Sequence, residues 1–199
     1  MADRPSRRAP IRIAISIAHA AWLGRVPDAR ARCRRLAQAA LAAGGAVERL
    51  GPAQSGELSL VLADDVLLRQ LNREFRGLDK PTNVLSFAVM EGEPQPVARP
   101  VMPLGDVAIA YETTASEARA QGKTLAEHLS HLVVHGILHL LGYDHLVKAQ
   151  AAEMEILETA VLARFGLSDP YRARPRRKTG IAASGTGRRP ARSRARSRP

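Results

Sequence analysis

His135-Gly136-Ile137-Leu138-His139-Leu140-Leu141-Gly142-Tyr143-Asp144-His145 decides how this chain is read, because it sets a helix, its stop and three imidazoles in one short run. His135 and His139 are four residues apart, so on an α-helix both rings project from one face. Gly142 ends that helix. A glycine in the left-handed conformation there swings His145 back toward the same point. Three neutral imidazoles leave the fourth tetrahedral position of Zn²⁺ open to water, the feature that separates a catalytic zinc from a structural one. Nickel or copper would fit such ligands too.

The spacing is that of the long zinc-protease pattern HExxHxxGxxH, except that Gly136 stands where the general-base glutamate belongs. Peptide hydrolysis needs a carboxylate to move a proton from water to the leaving amine. The nearest acid, Asp144, falls after the turn, where orienting a ligand histidine is as good a role as base catalysis. The motif therefore points away from a peptidase, toward a substrate whose leaving group needs less help.

Working upstream, Thr124 and Glu127 form a capping box that starts the helix. His128, His131, His135 and His139 fall along one stripe, and only the last two share the turn closure with His145. His131 reads as an alternative ligand, a supporting group, or a structural histidine. Leu132, Val133, Val134, Ile137, Leu138, Leu140 and Leu141 fill the remaining faces, so the helix is expected to be central and buried, in surroundings dry enough to strengthen electrostatics.

The flanking chain alternates elements without repeats. Ile11, Ile13, Ile15 and Ile17 alternate with Arg12, Ala14, Ser16 and Ala18, which reads as a strand and not as a signal peptide. Pro27-Asp28 opens a helix to about Ala43, and Leu58 to Ala63 is a strand. Asp64 caps a helix from about Asp65 to Phe75. Val84 to Val89 and Asp106 to Tyr111 read as strands, Met90 to Pro103 as an irregular loop, and Thr113 to Gln121 and Lys148 to Phe165 as helices. The expected fold is α+β: a small mixed sheet of three to four strands packed with about five helices, the central one carrying the histidines. Residues 1–10 read as a flexible N-terminus and 11–167 as a single domain.

Charge is distributed unevenly. Residues 171–199 hold 11 of the 30 Lys and Arg and no acid, so residues 1–170 balance at 19 basic and 19 acidic groups and the whole +11 sits in the tail. That tail is Arg, Pro, Ser, Gly and Ala, a composition expected to stay disordered. It is either a sequence-independent phosphate binder drawn to RNA or a solubilising extension. The single cysteine, Cys33, cannot form an intramolecular bridge and fits a reducing compartment. No apolar run reaches the length of a membrane span.

A second segment completes the chemistry. Leu71-Asn72-Arg73-Glu74-Phe75-Arg76-Gly77-Leu78-Asp79-Lys80-Pro81-Thr82-Asn83-Val84-Leu85-Ser86-Phe87 packs turn formers between a helix and a strand. An arginine beside a metal site suits a phosphodiester, since a guanidinium holds two phosphate oxygens and meets developing charge. Sequence physics alone favours a plainer role for Arg76, compensation of the helix C-terminal dipole. Aromatic platforms for bases are scarce, and Tyr143 and Phe87 are the candidates, with core packing the alternative for each.

These two segments, with Leu104-Gly105-Asp106-Val107 between them, resemble the YbeY family of bacterial endoribonucleases over roughly residues 11 to 167. The resemblance implies zinc ligands at His135, His139 and His145 and a functional arginine at Arg76. It implies one Zn²⁺ in a cytoplasmic, single-strand-specific endoribonuclease. The expected work is maturation of ribosomal RNA, notably the 3′ end of the small-subunit RNA, and ribosome quality control, with the small subunit as partner and no membrane. Leu146-Val147-Lys148-Ala149-Gln150 departs from relatives that tend to be acidic there, and the Arg-rich tail lies outside the pattern. Two other classes stay in view: a non-catalytic ribosome-assembly factor with a structural zinc, and a metallopeptidase.

Overall fold

The alternating isoleucines at the start of the chain form the first strand of a mixed sheet. In the computed structural model, which describes residues 11–50, 55–89, 101–144 and 148–172, the strands are β1 (Ile11–Ile17), β2 (Ser55–Ala63), β3 (Val84–Ala88) and β4 (Val101–Ala110). Their order is β1-β2-β4-β3. β1, β2 and β4 run parallel, and β3 is antiparallel to β4. Parallel neighbours need crossovers. The segment between β1 and β2 contains α1 (Ala21–Arg25), α2 (Ala29–Ala43) and α3 (Ala46–Arg49), while α4 (Asp65–Arg76) follows β2. The chain continues through α5 (Tyr111–Ala120), α6 (Leu125–Leu140) and α7 (Lys148–Ala163).

The fold is α+β as expected, with seven helices among the described residues where about five were anticipated. The two additions, α1 and α3, are too short to show a helical period. β4 begins at Val101 and takes in Pro103, so the strand reaches back into the end of the stretch expected to be an irregular loop. Residues 1–10, 51–54, 90–100, 145–147 and 173–199 lie outside the described residues, and with them most of the proline-rich loop, His145 and nearly all of the basic tail.

α6 is central for reasons written in its sequence. The Glu127 amide donates to Thr124 Oγ1 at 3.2 Å, and the Thr124 amide donates to Glu127 Oε2 at 2.8 Å, closing the capping box. At its other end Gly142 takes φ +80°, and the Tyr143 amide donates to Leu138 O at 3.1 Å. Leu129, Val133, Val134, Ile137 and Leu138 have no exposed surface, each worth about 1.5–3 kcal/mol of burial. They join one core with Leu58, Leu60 and Leu62 of β2 and Leu36 and Ala40 of α2. A smaller cluster lies elsewhere, where Leu68 and Leu71 of α4 meet Leu85, Phe87 and Ala108.

Gly105 is required where β4 bulges. Glu57 pairs with Pro103 but Leu58 pairs with Gly105, so Leu104 is the extra residue. Gly105 has φ +130°, and a Cβ there would stand 2.3 Å from the Phe87 carbonyl oxygen. Gly105→Ala is expected to lower stability by about 2–3 kcal/mol through backbone strain and overpacking, read as a shifted urea midpoint with unchanged slope.

Cys33 on α2 faces the main core with no exposed surface. Burial is the main cause pushing its thiol up to about 12. Folded protein at pH 8 is therefore expected to leave a thiol-specific disulfide reagent unreacted, and urea-unfolded protein to consume one equivalent.

Candidate metal centre

Along its histidine stripe α6 gives each ring different surroundings. His135 Nε2 lies 3.1 Å from His139 Nε2, with the ring planes at 85°. Two nitrogens held about 2.0–2.1 Å from one tetrahedral ion stand about 3.3 Å apart, so this separation fits a pair of ligands converging on one metal. Both rings line a cleft of about 520 Å³ together with Arg76, Thr82, Asn83, Ser86, Tyr143 and Asp144. The third predicted ligand, His145, lies outside the described residues. Asp144 is the only acid among the described residues lining this cleft.

Arg76 reaches the cleft because α4 stops at it. Gly77 takes φ +69°, and the amides of Gly77 and Leu78 donate to Arg73 O and Asn72 O. The buried Asn72 amide donates to Lys80 O at 2.8 Å, and Arg69 grips Asp79 in a fork at 2.8 and 2.9 Å. The loop is thereby pinned, and Arg76 is exposed at its edge. Among the described residues no acid forms an ion pair with Arg76. Dipole compensation and a site role are compatible in one position.

His135 uses its other nitrogen on a residue the motif does not contain. Its Nδ1 lies 2.7 Å from Oε1 of Glu158 on α7, a carboxylate with no exposed surface. Glu158 Oε2 accepts from the Tyr171 hydroxyl and lies 3.4 Å from His131 Nε2. Burial by itself would raise the Glu158 pKa, but hydrogen bonds from His131, His135 and Tyr171 outweigh it and hold the carboxyl at about 2. An ionised carboxylate only accepts, so His135 Nδ1 carries the proton. With that proton on Nδ1, Nε2 is the ring atom left for a metal, and it lies on the His139 side.

By distance alone His131, His135 and Glu158 could also hold an ion, their donor atoms lying within 4.8 Å of one another. The cleft pair fits a reactive metal better. Glu158 itself is sealed from solvent, whereas His135 and His139 both line the cleft, where a ligand position open to water and substrate can lie. His131 is absent from the cleft lining and its Nδ1 has no hydrogen-bond partner, which makes it a companion of the carboxylate. His128 is more remote: its Nε2 is 2.7 Å from Glu117 Oε2, and burial lowers its pKa.

Gly136 is explained by packing. A Cβ there would come within 2.9 Å of Val107 Cγ1 and 3.1 Å of Ser86 Oγ, so the position faces the sheet and has no room for a side chain. Ser86 Oγ donates to Gly136 O at 3.0 Å across the same contact. The missing glutamate leaves no hole in the cleft. Of the two aromatic candidates, Tyr143 lines the cleft, whereas Phe87 packs edge-on against Phe75 with centroids 5.0 Å apart. Glu158 and Tyr171 went unforeseen. The available signal was an acid on α7 at a core position, flanked by buried Met154, Val161 and Leu162 at helical spacing.

Fold and cleft together define an α+β protein in which a histidine pair of metal-ligand spacing and an arginine line one cleft. A family model described as endoribonuclease YbeY matches residues 25–166, and the chain belongs to that family, a class of hydrolases that cut RNA internally. A protein named endoribonuclease YbeY from Paramagnetospirillum magneticum is 58% identical over 163 residues, spanning 81% of this chain and 96% of that one. Its namesake from Rhodospirillum rubrum is 48% identical over 164 residues, spanning 81% and 82%. A solution structure of TM1509 from Thermotoga maritima aligns at 22% identity with a TM-score of 0.46, over 81% of this chain and 99% of that one.

Proposed function

We propose that this chain is a zinc-dependent endoribonuclease that cuts single-stranded RNA, with His135, His139 and His145 as metal ligands and Arg76 on the scissile phosphate. The carrying observation is that Arg76 lines the same cleft as the converging His135 and His139, although α4 and α6 are far apart in the chain. A zinc ion, when bound, would supply Lewis acidity toward a phosphodiester and make water a better nucleophile near neutral pH. Arg76 binds two phosphate oxygens and offsets the charge that grows on them in the transition state. Tyr143 offers a face for a flanking base, and Asp144 is the cleft acid able to accept or orient a proton. A backbone splayed into such a cleft favours single strands, since a duplex must first unpair.

Family membership supports a reading of the biological setting. We place the activity in ribosomal RNA maturation at the 3′ end of the small-subunit RNA and in ribosome quality control, in the cytoplasm. No helix among the described residues is long and apolar enough to cross a membrane. The deciding experiment incubates metal-free and zinc-loaded protein with single- and double-stranded RNA. Zinc-dependent cutting of the single strand alone is expected. No cutting by zinc-loaded protein, with or without small subunits, would favour the assembly-factor reading.

The basic tail adds non-specific RNA contacts in this proposal. Replacing its arginines beyond Arg172 with serine is expected to weaken RNA binding at low salt and flatten the salt dependence, with cleavage position unchanged. Equal salt slopes for both proteins would remove the tail from the mechanism.

A further inference from the structure

Resting on the metal reading above, a more specific assignment follows from the far side of the His135 ring. We propose that Glu158, held in turn by Tyr171, is the positioning residue that fixes His135 in its Nδ1–H form and so presents the Nε2 lone pair to the metal.

The geometry leaves the carboxylate little else to do. Glu158 is wholly buried on α7 and is met by three polar groups, His135 Nδ1 at 2.7 Å, His131 Nε2 at 3.4 Å and the Tyr171 hydroxyl. A buried carboxylate that only accepts is tolerated when donors surround it. Each partner is itself fixed. Tyr171 packs edge-on against the His131 ring with centroids 5.7 Å apart, its amide donates to Asp169 Oδ1 at 2.9 Å, and Lys123 Nζ donates to the neighbouring Pro170 carbonyl at 3.0 Å. The segment after α7 is therefore strapped back over α6, its tyrosine two bonds of a relay away from a ligand nitrogen. A metal-bound histidine that gives its second N–H to a carboxylate gains both orientation and basicity, and losing that partner commonly costs about 10–100-fold in metal affinity. Tyr171 also lies beyond residues 25–166, the span matched by the family, so the device extends past that boundary.

The test uses the full chain. In metal-free protein labelled with ¹⁵N-histidine, long-range ¹⁵N–¹H spectra at neutral pH are expected to show His135 protonated at Nδ1. Zinc affinity, measured by competition with a chromophoric chelator, is expected to fall about 10–100-fold in Glu158→Gln and several-fold in Tyr171→Phe. The exposed Glu155→Gln on the same helix should leave it unchanged. A His135 proton on Nε2 overturns the proposal. So does zinc affinity within twofold of the parent in both variants while metal-free melting temperatures fall, because Glu158 would then only join two helices. If Glu158→Gln does not fold, the tautomer in the unsubstituted protein and the Tyr171→Phe affinity still decide. Failure of the unsubstituted protein to bind zinc would instead defeat the functional reading, and the tautomer would remain measurable.

Discussion

Arg76→Ala is expected to keep full zinc content and lose about 10²–10³-fold in cleavage rate, the scale of removing one donor that meets transition-state charge, about 2.7–4 kcal/mol. The side chain is exposed at the end of α4, and among the described residues no hydrogen bond or ion pair uses its guanidinium, so stability should barely change. Arg76→Lys should recover only part of the rate, because a point charge replaces a two-pronged fork. Metal analysis beside a single-turnover assay on single-stranded RNA reads both effects. Unaltered cleavage would return Arg76 to its role at the helix end and leave the phosphate without an identified partner.

The second large effect is loss of the metal itself. His135→Ala and His139→Ala are each expected to bind zinc more weakly by well over the 10–100-fold typical of losing an outer hydrogen-bond partner, and to cut no RNA at stoichiometric zinc. The two should differ in the metal-free state. His135→Ala also strips one hydrogen bond from the buried Glu158 carboxylate, so its melting temperature should fall further than that of His139→Ala. Elemental analysis and thermal melts in chelator separate the two contributions. Full zinc retention in both variants would move the ion to a donor set that uses neither ring, whereas zinc lost in His135→Ala but kept in His139→Ala would move it to the group that His135 shares with His131 and Glu158.

Much of this centre could be read locally. The capping box at Thr124 and Glu127, the four-residue spacing of His135 and His139 and the glycine stop at Gly142 are short-range features, and α6 realises each of them. β1 is equally plain, since its period of two spans the whole strand. Errors fell where the local signal is weak. α1 and α3 are too short to show a period, and Pro103 inside β4 is tolerated at a bulge that no run of residues announces.

The sequence by itself therefore determined the histidine helix, its ends, the four-residue spacing of His135 and His139 and the confinement of net charge to the tail, because periodicity, capping and composition act over a few residues. The tertiary structure alone decided what those histidines face. Arg76 enters their cleft through the packing of α4 beside the sheet, and Gly136 is glycine because Val107 and Ser86 occupy the space of a side chain. His135 finds its carboxylate on α7 because the core positions around Glu158 bury that acid against α6. Such meetings depend on how elements pack at a distance, and a buried charge becomes informative only when its donors are seen around it.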